Sequence, residues 1–332
     1  MICKVAKGAT NQTRKEDFVM KKIVSLLMAV VVMATVLVGC GGKEELTFTT
    51  GSETGTYYGF GTVLAGQISD KTDTTVTAIV GKGSKANIEL MDVGDAQMGL
   101  VQSDVMAYAY NGTSLFENKI DSFSTVASLY MEQVQIVTLD PTIKSVADLK
   151  GKTVSVGESG SGVYFNAIDV LAAYDLTLDD INPTYQSFGD STEALQDGKI
   201  DAGFIVSGAP TTAITSLATS RDVYLVELDD EHIEKLTAAS PYYSKNVIPA
   251  DAYGLEKDAV TVAVGAVIIA RDDVSEDAVY DVVAGIFDSI DTLSHDKKNE
   301  LSLDFAASVT AVPYHPGAAK YFAEKGITVA TK

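Results

Sequence analysis

Two short segments combine residue types and spacing that could do chemistry: Thr50-Gly51-Ser52-Glu53-Thr54-Gly55-Thr56-Tyr57-Tyr58 and Val156-Gly157-Glu158-Ser159-Gly160-Ser161-Gly162-Val163-Tyr164. Each strings glycines and hydroxyls along the turn that a strand makes into a helix. Backbone N–H groups are free at such a turn, and glycine lets a ligand approach closely. The chemistry is anion binding without a charged side chain. Beyond residue 39 the chain has two arginines, Arg221 and Arg271, and neither lies in these loops. A bidentate arginine clamp on a carboxylate is therefore not expected. Candidate ligand contacts are Thr54, Gly55, Thr56, Tyr57 and Tyr58 in the first loop and Ser159, Gly160, Ser161 and Gly162 in the second. Tyr57, Tyr58 and Tyr164 could each lay a ring over a ligand or pack in the core. Thr54, Ser159, Ser161, Ser103 and Ser207 are equally suited to be helix N-caps. Glu53, Glu158 and Asp104 could face a ligand ammonium or lie solvated, and Lys82-Gly83-Ser84-Lys85 offers a cation ahead of a helix.

The elements that must position these loops show a weak repeat about 105 residues apart. Besides the loops, Gly94-Asp95-Ala96-Gln97-Met98-Gly99-Leu100-Val101-Gln102-Ser103 matches Gly198-Lys199-Ile200-Asp201-Ala202-Gly203-Phe204-Ile205-Val206-Ser207. Each copy reads as a glycine helix stop, a buried strand and a serine at the next helix start. Gln102, Ser103, Asp104, Ser207 and Gly208 at the paired strand ends join the candidate lining. Strand, turn and helix recur in order, which argues for a parallel α/β architecture in two similar lobes.

Further segments fill in the scaffold. Leu46 to Thr50 reads as a strand. Ser145-Val146-Ala147-Asp148 reads as a capping box for a one-turn helix ended by Gly151, ahead of a strand Thr153 to Val156. Asp190-Ser191-Thr192-Glu193 reads as a second box, for a helix stopped by Gly198. A helix from near Ser275 puts Val279, Val282, Val283, Ile286, Phe287, Ile290 and Leu293 on one core-facing stripe. Val134 to Leu139 and Val262 to Ala270 are long enough to cross between lobes as a two-strand hinge.

Upstream, Met20-Lys21-Lys22, an uncharged apolar run from Ile23 to Val38 and Gly39-Cys40 form an export signal, with Met20 a natural start. Sixteen uncharged, mostly apolar residues fall short of the roughly 20 that a spanning helix needs. Leu37-Val38-Gly39-Cys40 resembles a lipobox, which implies cleavage before Cys40 and lipid attachment to its sulfur. Expected divisions are a signal peptide 1–39, a lipidated tether 40–45, one lobe of 46–132 with 271–332, and a second lobe of 133–270. Taking the six basic and two acidic residues of 1–39 from 25 and 45 leaves 19 against 43, a net charge of −24. Such a surface repels nucleic acid and anionic lipid.

The stretch Leu46 to Gly326 resembles the TAXI branch of solute-binding proteins, the extracytoplasmic receptors of TRAP transporters. Its carriers are Thr54-Gly55-Thr56-Tyr57-Tyr58, Gly99-Leu100-Val101-Gln102-Ser103-Asp104, Ser145 to Lys152, Val154-Ser155-Val156-Gly157 with Ser159 to Gly162, and Tyr314-His315-Pro316-Gly317-Ala318. The resemblance implies a type II periplasmic-binding-protein fold closing on a small organic acid, glutamate or glutamine being favoured over a dicarboxylate or 2-oxo acid. It also implies a fused TRAP membrane permease as partner. Departures at Glu53, Thr56, Gln97 and Glu158 leave the ligand's identity open.

Other classes find less support. His232, His295 and His315 have no metal-ligand spacing, and Ser159 and Ser161 have no evident base partner. No Gly-x-x-x-x-Gly-Lys-Ser/Thr loop is present. We expect no enzyme, no cofactor, no metal and a monomer, with a surface antigen or adhesin as the alternative to a receptor.

Overall fold

The structure, a computed structural model, describes residues 43–332. The expected signal peptide and Cys40 lie outside the described residues. The strands are β1 (Glu44–Thr49), β2 (Thr74–Ile79), β3 (Met98–Gln102), β4 (Phe123–Thr138), β5 (Thr153–Ser155), β6 (Asn182–Thr184), β7 (Ala202–Ser207), β8 (Tyr224–Leu225), β9 (Ser244–Ile248) and β10 (Ala259–Arg271). The helices are α1 (Thr56–Lys71), α2 (Ser84–Asp92), α3 (Ser103–Asn111), α4 (Gly162–Ala173), α5 (Phe188–Gln196), α6 (Thr212–Ala218), α7 (Asp230–Ala239), α8 (Glu276–Phe287), α9 (Leu303–Ala306) and α10 (Pro316–Glu324).

One mixed sheet runs in the order β2-β1-β3-β10-β4-β7-β5-β6, with β8 on β4 and β9 on β10. The repeat seen in the sequence is built into it. β2-β1-β3 and β6-β5-β7 are parallel triplets, each flanked by an antiparallel strand, β10 or β4. Gly94 and Gly198 hold the left-handed conformation that ends α2 and α5, at φ of 91° and 68°.

β4 and β10 each serve both halves. β10 pairs with β3 through Ala266–Ala270 and with β9 through Ala259–Ala263. Val126, Leu129, Tyr130, Ala266 and Ile268 belong to one apolar core. Val134, Ile136, Val262 and Val264 belong to another. The change falls near Glu132 in β4 and Gly265 in β10, two long strands that together join the lobes.

Local chemistry explains most element ends. Ser145 and Asp148 form the expected capping box. Ser275 Oγ takes the Ala278 N–H at 3.1 Å to start α8. Four details differ from the sequence reading. β1 begins at Glu44, inside the expected tether. α5 starts a turn before the expected box, because Ser187 Oγ accepts the Asp190 N–H at 3.2 Å and donates to the Asp190 carboxylate at 2.8 Å. α8 stops at Phe287, where Asp288 is held by Tyr321 and Lys325; Ile290 reaches the core from a following 3₁₀ turn and Leu293 from just beyond it. Ser207 does not open a helix: the loop 208–211 intervenes, and Thr211 precedes α6.

Candidate functional site

The two glycine–hydroxyl loops face each other across the line where the lobes meet and line a cavity of about 40 Å³. One lobe contributes Ser52, Gly55, Thr56, Tyr57, Gln102 and Glu132, and the other Glu158, Ser161, Gly162, Gln186, Phe188 and Ser207. A water needs roughly 10–15 Å³ measured this way. The cavity thus has room for about three or four waters, less than a whole amino acid needs.

Hydrogen bonds between the lobes hold this closed arrangement. The Thr56 N–H at the start of α1 donates to Ser207 Oγ at 3.1 Å, the Ser207 hydroxyl donates to Thr56 Oγ1 at 3.0 Å, and Thr56 Oγ1 donates to the Gly208 carbonyl at 3.0 Å. The Ala213 N–H donates to the Thr54 carbonyl at 3.2 Å, and the Ala86 N–H to the Gly160 carbonyl at 2.9 Å. Lys297 is buried, its Nζ donating to the Ala209 carbonyl at 2.9 Å. Gln102 Nε2 donates to Asn166 Oδ1 at 2.9 Å.

Backbone freedom at two glycines makes the approach possible. A Cβ at Gly162 would lie 1.9 Å from Gln102 Oε1 and 2.7 Å from Ser84 Oγ. Gly157 has φ of 82°, a conformation that side chains rarely adopt.

Of the residues singled out in the sequence, Gly55, Thr56, Tyr57, Gln102, Ser161, Gly162 and Ser207 line the cavity, as do Lys82 and Glu158. Ser161 Oγ also caps α4 by accepting the Tyr164 N–H at 3.3 Å. Thr54, Gly160 and Gly208 lie one step back and contribute carbonyls to the closure. Ser103 Oγ accepts the Gly265 N–H at 3.0 Å, away from the cavity. Tyr58 is half-buried on α1, Tyr164 packs edge-to-face on Tyr185, and Ser159 and Glu53 are exposed. Lys85 pairs with Glu89. Asp104 is fully buried behind the cavity, accepting from Asn166 Nδ2 at 2.9 Å.

Sequence reasoning missed Glu132, the buried acid of the cavity. The Tyr130 hydroxyl donates to it at 3.2 Å. Burial pushes its carboxyl up to about 8, against the lowering pull of the Tyr57 and Tyr130 hydroxyls and the Lys297 ammonium. The Tyr57 hydroxyl faces Glu132 and Ser84 but completes a well-aligned hydrogen bond to neither. Burial also pushes Asp104 up to about 7; the Val105 N–H and the Asn166 amide pull it down, and Asp169 raises it further. Glu158 is raised by burial and lowered by Lys82.

The histidines have structural settings. His315 Nδ1 accepts the Gly317 N–H at 3.2 Å and so caps α10. His232 stacks on Tyr174 with centroids 3.6 Å apart, and His295 lies 4.9 Å from Phe60. Among the described residues, no group of three or more His, Cys, Asp or Glu could hold a metal ion, and no helix is long and apolar enough to cross a membrane.

A sequence model of the NMT1-like family matches residues 48–326. Among solved structures, the chain is similar to the alkanesulfonate-binding protein of Xanthomonas axonopodis pv. citri bound to MOPS, at 17% identity and a TM-score of 0.50, covering 84% of this chain and 83% of that one. A Bordetella bronchiseptica RB50 protein matches at 18% identity and a TM-score of 0.54, covering 86% and 81%. A putative L-cystine ABC transporter protein of Listeria monocytogenes matches at 13% identity and 0.50, covering 81% and 99%. At such identities the likeness establishes the fold, the α/β periplasmic-binding-protein-like fold expected from the sequence.

Proposed function

We propose that this chain, which belongs to the NMT1-like family, is an extracytoplasmic solute receptor that closes its two lobes on a small amino acid. The carrying observation is the cavity between the lobes, lined from both sides and bridged by hydrogen bonds that exist only when they meet. β4 and β10 would act as the hinge between lobes of 46–132 with 271–332 and of 133–270. The relatives whose names describe a function are binding proteins or transporter components, which supports a receptor over an enzyme.

The lining favours a zwitterion. Glu132 and Glu158 place two acids in the cavity against one cation, Lys82. A ligand ammonium favours the ionised form of both acids, including Glu132, which burial otherwise keeps protonated up to about pH 8, whereas the second carboxylate of a dicarboxylate disfavours it. The Ser161 hydroxyl and the first-turn N–H groups of α1 and α4 other than those of Thr56 and Tyr164, which Ser207 and Ser161 accept, are suited to the ligand carboxylate. Glutamate or glutamine is the favoured ligand, and a 2-oxo acid the runner-up. Delivery would be to a TRAP-type permease, with the receptor, of the TAXI branch, held at the membrane by lipid on Cys40.

Calorimetric titration of the purified protein with glutamate, glutamine, 2-oxoglutarate and succinate tests the ligand. Binding of an amino acid is expected. Tight binding of succinate with none of either amino acid would refute the zwitterion reading.

A further inference from the structure

Gln102 presents an unusual face to the cavity. Its Nε2 is engaged by Asn166, and its Oε1 is buried with no hydrogen-bond partner although the side chain lines the cavity. That orientation is dictated from behind. Asn166 Nδ2 donates to Asp104 Oδ2 at 2.9 Å and to the Tyr243 hydroxyl at 2.7 Å. The Tyr243 hydroxyl in turn donates to Asp169 Oδ2 at 2.9 Å. The Tyr243 hydroxyl gives its one proton to Asp169 and can only accept from Asn166, so Asn166 must turn its nitrogen to Tyr243 and Asp104 and its oxygen to Gln102. Gln102 must then turn its own nitrogen to Asn166 and its oxygen to the ligand. Asn166, held by Asp104 and Tyr243, thereby fixes a carbonyl acceptor in the cavity.

The Glu132 carboxyl and the Tyr57 hydroxyl, which is also buried and completes no well-aligned hydrogen bond, line the same cavity. Three such oxygens lining one cavity, one of them acidic, match the three N–H donors and single charge of a primary ammonium. We propose that Glu132, Gln102 and Tyr57 form an ammonium subsite, and that Asp104 and Asn166 are positioning residues that hold the Gln102 carbonyl toward the ligand. The inference rests on the amino-acid reading above and goes past it, because it says which atoms distinguish an amino acid from its oxo analogue.

The test compares Kd for glutamate and for 2-oxoglutarate, with glutamine as a second amino ligand, in wild type, Glu132→Gln and Asp104→Asn. Circular dichroism checks that each variant is folded. Glu132→Gln is expected to weaken amino-acid binding about 10- to 100-fold while 2-oxoglutarate binding holds or tightens. Asp104→Asn leaves the Asn166 nitrogen held by Tyr243 alone, so the amide turns over more readily and the preference for the amino ligand should shrink by up to about tenfold. Equal loss of both ligands in Glu132→Gln, or no change in either, would show that the acid serves packing alone and would overturn the subsite. Failure of wild type to bind any of the three is a different result, which overturns the amino-acid reading and the subsite with it.

Discussion

Ser207 Oγ receives the Thr56 N–H at 3.1 Å although the two residues belong to opposite lobes and lie 151 positions apart. The first turn of α1 is therefore capped by the other half of the protein, so this bond forms only on closure. Ser207→Ala leaves a buried N–H unsatisfied in the closed form and unaffected in an open one. The expected cost to closure is about 1–3 kcal/mol, seen as a roughly 5- to 100-fold weaker Kd. Unfolding measured without ligand should change less than binding does. An unaltered Kd would mean that closure does not depend on this contact.

Gly162 allows the closest approach between the lobes. A methyl group there collides with Gln102 Oε1 and Ser84 Oγ, and Gln102 cannot swing away without releasing Asn166. Gly162→Ala should therefore hold the lobes apart, costing about 1–3 kcal/mol of binding, while α4 is not weakened, since alanine is the better helix former. Small-angle scattering with saturating ligand should show a larger radius of gyration than liganded wild type. Full compaction on ligand addition would contradict the steric account.

The loops and the repeat were legible because glycine and serine mark them, and each has a local physical reason: left-handed turns at Gly94 and Gly198, a cap at Ser161. Glu132 was not, although it leaves a trace. It stands with Gln133 and Gln135 in the middle of a 16-residue strand that is otherwise almost wholly buried. A lone acid at such a position has no reason to be there on packing grounds. Asn166, fully buried on the apolar α4, is a similar signal. Neither could be tied to the site from spacing, because the contacts Gln102–Asn166 and Asn166–Asp104 span more than 60 residues and arise only when the lobes meet. The start of α5 differs for a simpler reason: Ser187 is the cap there and Asp190 its partner inside the first turn, whereas the box motif alone makes Asp190 the cap.

Stability without ligand should rise on acidification from pH 8 to about pH 5. Asp104 moves from 3.8 to about 7 and Glu132 from 4.5 to about 8 on folding. In this range the unfolded chain holds neither proton while the folded chain binds up to two, so unfolding releases protons and lower pH favours the native state. Each tenfold gain in proton affinity is worth about 1.4 kcal/mol, which makes the stabilisation on the order of 3 kcal/mol per group. Exposed acids such as Asp148, held low by the Lys144 and Ser145 N–H groups, act in the opposite sense, but below about pH 4. Urea titrations of wild type and of the Asp104→Asn, Glu132→Gln double variant should show a slope in the first and little in the second. Parallel curves would assign the pH dependence to other groups.

Ligand affinity should move with pH in the opposite direction from stability. In the empty cavity Glu132 keeps its proton up to about pH 8 because burial disfavours its charge. An ammonium placed beside it favours the ionised form, so binding expels that proton. Lowering the pH then opposes binding, and Kd for an amino acid should weaken by up to about tenfold per pH unit between about pH 7.5 and 5.5. The ligand stays zwitterionic throughout, which leaves the change with the protein. Calorimetry in buffers of different ionisation enthalpy should register close to one proton released per ligand bound at about pH 7. In Glu132→Gln both the release and the slope should vanish. A wild-type Kd that is flat with pH, with no proton exchanged, would mean that the ligand's charge is met elsewhere than at Glu132.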